Sequence, residues 1–236
     1  MAEVVNRLVL DLSHHNTVSS WAQIRQAGIV GVIYKATEDD DYTDPTYAEA
    51  RKGAEGAGLL WGAYHFLRPT SGMVEQARHF VQKVGNLSNV LLCADHEDDG
   101  VSLADLKIFL EEVFQLSGQR AVIYSGSVIK QQVGNQMIVW LGAYPRFWLA
   151  HYSPSPTWPK QIWSRYWLWQ YTDGVSGPLP QDCPGVGGDV DCDSFLGDSA
   201  RLKAEWTGNM VPVPSKPVVE ITISAPPGVE VKVTRE

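Results

Sequence analysis

The sequence predicts an α/β fold: an irregular TIM-like (β/α)5(β)3 barrel followed by a short C-terminal β-hairpin tail. Three observations lead there. Short, nearly continuous apolar runs alternate with amphipathic segments from Arg7 to Ser125. Runs of that kind belong to parallel strands covered on both faces. Beyond Ser125 the apolar runs recur without a full helix between them, which suggests a ring closed by about three extra strands. The 236 residues also suit one α/β barrel, since such barrels commonly run to about 250 residues. An open doubly wound sheet is the rival arrangement. No GxGxxG follows the first strand and no GxxxxGK[ST] loop occurs, which weakens any nucleotide-binding reading.

The elements follow in order. Arg7–Leu12 (RLVLDL) reads as a buried strand, and Ser20–Ala27 as a short helix with Ile24 and Ala27 at helical spacing after Trp21. Gly31–Ala36 is the second strand. Pro45–Ala57 is helical, with Gly58 as its stop signal. Leu60–Phe66 is the third strand, Met73–Val84 a helix, and Val90–Glu97 the fourth strand. Leu103–Ser117 is a helix with Ser102 at its N-cap and Asp105 in its first turn. Arg120–Ser125 is the fifth strand. Arg146–His151, Tyr166–Tyr171 and a segment within Gly185–Phe195 supply the later ones. These elements divide the chain into a barrel over 1–204 and a linker plus tail over 205–236. Met210–Pro217 is proline-rich. Val219, Ile221 and Ile223, a Pro226-Pro227-Gly228 turn, then Val229, Val231 and Val233 give a hairpin signal. An isolated hairpin is marginal in water, so the tail is expected to dock on the barrel, pair with another copy or stay loose.

Composition narrows the partners. A net charge of -8 argues against a phosphate-tracking nucleic-acid binder. No apolar run reaches the roughly 20 residues of a membrane span, and Met1–Asn6 carries no secretory pattern. Cys93, Cys183 and Cys192 form an odd set without CxxC spacing, so thiols are expected. Nine tryptophans stand out, six of them between Trp140 and Trp169. Such a density fills core, lines a sugar-stacking groove, or does both.

In a parallel barrel the chemistry sits at the C-terminal ends of the strands. The first strand delivers Asp11 there and the fourth delivers Asp95 and Glu97. A late strand carries Asp189, Asp191 and Asp193. Residues two apart on a strand share a face, with Cα atoms about 6.5–7 Å apart. Two carboxylates that close repel, so one holds a proton near neutral pH, as glycosidic cleavage requires. A plain acidic loop at Asp95–Asp99, and a capping role for Asp11, are the simpler alternatives. His14 and His15 are adjacent on a loop and lack an HExxH context, so no metal and no cofactor are expected. Tyr64, His65, Tyr124, Trp148 and Tyr152 end or flank strands, where they are expected to line the mouth and bind sugar.

These residues resemble glycoside hydrolase family 25, the Chalaropsis-type lysozymes. The matching pieces are DLSHHN at Asp11–Asn16, GAYHF at Gly62–Phe66, ADHE at Ala94–Glu97 and IYSG at Ile123–Gly126. WLAHY at Trp148–Tyr152, WQYTDG at Trp169–Gly174 and DVDCDSF at Asp189–Phe195 complete an ordered series. The chain departs from the family at His15-Asn16, where Gln-Gly is usual, and at Asp191-Cys192-Asp193, where Asp-Leu-Asn or similar is usual. The resemblance implies hydrolysis of the β-1,4 bond between N-acetylmuramic acid and N-acetylglucosamine in peptidoglycan. It implies Glu97 as general acid, Asp95 as its partner, Asp11 and Asp191 as supporting carboxylates, and Gln170 among the substrate-binding residues. Participation of the substrate's own N-acetyl group is the favoured route, and direct attack by Asp95 the runner-up. A wall-binding barrel without catalysis, and a hydrolase of another amino-sugar polymer such as chitin, are the competing functions. A phage lysin, made in the host cytoplasm without a signal peptide and acting on the wall after release, is the expected setting. Self-association through the hairpin is a further expectation.

Overall fold

A computed structural model describes residues 5–208. The proline-rich linker from Met210, the hairpin tail and any self-association through it lie outside the described residues. Eight strands close a barrel: β1 (Arg7–Leu12), β2 (Gly31–Glu38), β3 (Leu60–Phe66) and β4 (Val90–Asp95), then β5 (Val122–Ser125), β6 (Phe147–Ala150), β7 (Leu168–Thr172) and β8 (Asp191–Phe195). β1 through β7 pair in parallel in chain order. β8 slots between β7 and β1, antiparallel to both, and closes the ring. A short strand at Tyr42–Thr43 adds antiparallel to β2 outside the ring, and Thr17–Val18 pairs with Val186–Gly187.

Helices α1 (Trp21–Gln26), α2 (Tyr47–Gly56), α3 (Met73–Val84), α4 (Leu103–Ser117) and α5 (Ser127–Val133) each follow one of the first five strands. α6 (Ser199–Glu205) follows β8. The bounds of β1, β3, α3 and α4 are those expected from the sequence. α4 begins with a reciprocal cap: Asp105 N–H donates to Ser102 Oγ (3.2 Å) and Ser102 N–H to Asp105 Oδ2 (3.0 Å). It ends at Gly118 in the left-handed region. α2 starts later than Pro45 because Asp44 Oδ1 takes the Thr46 N–H (2.9 Å) and holds the preceding residues in a turn. The Gly185–Phe195 segment joins the barrel only from Asp191, and in reverse.

Strand alternation sorts the core into two layers. Val9, Ile33, Leu91, Cys93, Val122, Trp148, Leu168 and Phe195 fill the barrel interior. Leu10, Val32, Trp61, Leu92, Ile123 and Trp169 face outward, where they pack under the helices. Trp206 belongs to the inner layer and plugs the end of the barrel opposite the strand C-termini. Its Nε1 donates to Trp61 O (2.8 Å), and a Cβ on Gly31 would lie 2.6 Å from its ring. Arg146 Nη1 donates to Trp206 O (2.9 Å). The packed barrel therefore runs past residue 204 to Trp206. The three cysteines are free and buried.

Candidate active site

The inward parity of each strand decides what reaches the mouth. On β1 that parity passes through Val9 to Asp11, on β3 to Tyr64, on β4 through Cys93 to Asp95, and on β5 to Tyr124. On β7 it passes through Leu168 to Gln170. Because β8 runs backwards, its first residue, Asp191, is the one at the mouth. It lies directly across from Asp11 in the β1–β8 register. Asp193 is two residues deeper and fully buried, and its Oδ1 accepts from Trp148 Nε1 (2.6 Å). Asp189 precedes the strand and is exposed.

β4 stops at Asp95, two residues short of the expected end at Glu97. The same-side relation survives, because His96 is turned into the wall. Its N–H donates to Tyr124 O (2.9 Å), its ring meets Gln132 Oε1 (2.9 Å), and its carbonyl accepts from Ser125 Oγ (2.6 Å). Asp95 is thus buried at the barrel mouth with Oδ1 unpartnered, while Glu97 stands above it on the exposed rim.

The electrostatics follow from crowding four carboxylates round a low-dielectric opening. Burial raises Asp11 well above the usual carboxylate range, and Asp191, Asp193, Asp95 and Glu97 push it further. Burial, then the Glu97 charge, raises Asp95, against the pull of Lys35. Glu97 is raised by desolvation, against the hydroxyl of Tyr124, which lowers it. Asp191 is raised to about 7, by burial first and then by Asp173 and Glu97. Asp191 therefore holds a proton up to near neutral pH, and the other three acids are shifted in the same direction.

Gln170 ties the ring together. Its Nε2 donates to Asp11 Oδ2 (2.9 Å), and its Oε1 accepts from Tyr124 (2.8 Å) and Tyr152 (2.7 Å). Tyr64 is half-buried and feels the charges of Asp11, Asp95 and Asp191. Asp11, Asp95, Glu97, Asp191, Tyr64, Tyr124, Tyr152 and Gln170 thus converge. Two expected residues do not. His65 follows Tyr64 and so points to the opposite face of β3. There its ring bonds Thr37 Oγ1 (2.7 Å) and Gln76 Oε1 (3.0 Å) and stacks on Phe109 under the helices. Burial lowers it to about 3, which leaves it neutral. Trp148 is inward but fully buried, with the Tyr124 ring 4.4 Å away. It forms the floor of the site and has no face free for a sugar. Trp163, Trp167 and Trp169 are buried too, so these tryptophans build wall and core; of the mouth tyrosines, Tyr152 is exposed, Tyr64 half-buried and Tyr124 buried.

Sequence reasoning missed Lys35. It lies at the inward parity of β2, pairs with Glu38 (2.6 Å), and lines an open cleft with His14, Tyr42 and Arg68. The signal was present: Ile33 and Lys35 share one face of GVIYKA. His14 is paired to Asp44 through Nδ1 (2.8 Å), and its ring packs against His15.

The profile of the glycosyl hydrolases family 25 matches residues 10–178, which include Asp11, Asp95, Glu97, Tyr124 and Gln170. The chain belongs to family 25. Lysozyme M1 of Streptomyces globisporus is 30% identical over 215 residues, covering 83% of this chain and 69% of the relative. The lysozyme from Streptomyces coelicolor superposes with a TM-score of 0.76 at 27% identity, covering 88% of this chain and all 100% of its own. The muramidase from Trichobolus zukalii gives 0.70 at 31% identity over 84% and 98%. This family 25 enzyme is a glycoside hydrolase, and its barrel is the one these lysozymes share. Among the described residues, no helix is long and apolar enough to cross a membrane.

The raised acids make a stability prediction for this family 25 barrel. Between the unfolded carboxyl value of about 4 and the folded value of about 7 for Asp191, the native state binds more protons than the unfolded one. Asp191 therefore lowers stability as pH rises through that window. Asp191→Asn is expected to raise Tm at pH 8 and leave it unchanged at pH 4. An equal gap at both pH values would contradict the assignment.

Proposed function

We propose that this family 25 hydrolase cleaves the β-1,4 bond between N-acetylmuramic acid and N-acetylglucosamine in bacterial peptidoglycan. One observation carries the reading: a buried carboxyl with a free oxygen, Asp95, sits beneath an exposed one, Glu97, at a mouth lined by tyrosines. Glu97 gives its proton to the departing glycosidic oxygen as the bond from that oxygen to the anomeric carbon breaks. The acetamido oxygen of the same sugar forms the new bond to that carbon from the opposite face. Asp95 Oδ1 accepts from the acetamido N–H, which makes the amide oxygen a better nucleophile and offsets its positive charge. Glu97, now ionised, takes a proton from the water that opens the ring, and the anomeric configuration is retained. Asp11, tied to Gln170, and Asp191, across from it on β8, complete the ring of acids round this step. Tyr64, Tyr124 and Tyr152 offer ring edges and hydroxyls to the sugars.

The family relatives named as lysozymes and a muramidase support the polymer, and the acid ring supports catalysis over bare binding. Purified peptidoglycan incubated with the enzyme is expected to lose turbidity and gain reducing ends together. Sedimentation of the protein with the wall and no new reducing ends would point to a binding barrel instead.

A further inference from the structure

We propose that Gln132 on α5 clamps the loop that carries Glu97, gripping it on both flanks, which makes it a positioning residue for the general acid. The inference rests on the functional reading above. Glu97 lies beyond the end of β4, in the stretch from His96 to Val101 that leads into α4. The Gln132 amide meets this stretch at each end. Its Nε2 donates to Val101 O (2.8 Å), and its Oε1 lies 2.9 Å from His96 Nε2. A carbonyl oxygen only accepts, so the Nε2 end of the amide faces Val101. The Oε1 end left for His96 only accepts, so the ring carries its proton on Nε2. His96 Nδ1 is buried without a partner among the described residues, which suits a bare lone pair. Burial lowers the His96 titration, against the Gln132 hydrogen bond and the charges of Asp105 and Asp98, and the ring is neutral at neutral pH.

Each flank is anchored separately as well. His96 is fully buried, its N–H donates to Tyr124 O (2.9 Å), and its carbonyl accepts from Ser125 Oγ (2.6 Å). Val101 is fully buried, and its N–H donates to Asp98 O (3.1 Å) to close a turn. Arg68 pairs with Asp98 (2.9 Å) from the other side. Glu97 sits between the buried ring and this turn. The backbone bonds of His96 leave its ring free to rotate, and Gln132 sets that rotation and ties it to Val101. A buried N–H that loses its acceptor is costly, so the ring turns to find another and draws the peptide before Glu97 with it. A general acid works only within hydrogen-bond reach of the leaving oxygen, so a small displacement costs rate.

The test measures rates on solubilised peptidoglycan strands with the full chain, normalised to the folded fraction. Gln132→Met removes both grips, and kcat and kcat/KM are expected to fall together by roughly 10-fold. His96→Phe keeps a buried ring without a donor and should lose as much. His96→Gln returns an N–H to the place of Nε2 and should restore most of the rate. In the His96→Phe background, Gln132→Met should cost far less than it does alone, because the two residues share one bond. Nitrogen NMR of the parent enzyme at neutral pH should show His96 with its proton on Nε2. A proton on Nδ1 would overturn the proposal. So would parental kcat in Gln132→Met, a loss confined to KM, or equal losses in His96→Gln and His96→Phe. The two His96 variants decide the matter if Gln132→Met does not fold. The tautomer needs no turnover to be read, so a parent enzyme inactive on peptidoglycan would count against the functional reading alone.

Discussion

Glu97→Gln is expected to slow reducing-end release from peptidoglycan by between about 10²- and 10⁴-fold, the range that one positioned general acid supplies. The substitution keeps the shape and the contact with Tyr124 but removes the transferable proton. Glu97 stands exposed on the rim, outside the packed layers, so circular dichroism should match the parent enzyme and Tm should not fall. Near-parental activity would remove Glu97 from the acid role. Activity lost together with the native spectrum would leave that role without support.

Trp206→Ala is expected to cost about 3–5 kcal/mol of unfolding free energy, as large-to-small changes of buried aromatics do. The ring is 1% exposed, closes the barrel end beneath Gly31, and spends its N–H on Trp61 O. Its removal opens a void at the bottom of the barrel and deletes that hydrogen bond. The mouth is at the other end, so kcat/KM of the folded fraction should be unchanged at low temperature. Urea unfolding checks the first part, and a loss under about 0.5 kcal/mol would show that Trp206 is a surface appendage. The result also bears on where the barrel ends, since a truncation at Ala204 would remove this residue.

Much of the barrel was legible because parallel strands covered on both faces read as unbroken apolar runs. RLVLDL, LWGAYHF and VLLCAD announce themselves in that way. α4 was legible through its Ser102–Asp105 cap. α5 and α6 escaped because seven residues each give barely two turns of periodicity. The reversed direction of β8 escaped for another reason. The stretch from Asp173 to Val190 holds no helix and is long enough to return the chain either way, so direction is left to tertiary packing. In the site, Asp11, Asp95, Glu97 and Asp191 were found as acids at strand ends. His65 failed on a rule the sequence already contains, since Tyr64 and His65 cannot share a strand face. Trp148 failed on depth, which strand tilt and the covering Tyr124 ring decide and which no local pattern encodes. The amide bridge of Gln170, 159 residues from Asp11 along the chain, was invisible for the same reason.

The most direct test of the account is the chemistry of the newly formed chain end. Peptidoglycan digested by the enzyme is reduced with borohydride and the fragments are read by mass spectrometry. The account predicts that muramic acid carries the reduced end, with chitin oligomers left uncut under the same conditions. A reduced N-acetylglucosamine end, or turnover of chitin at a comparable rate, would contradict it.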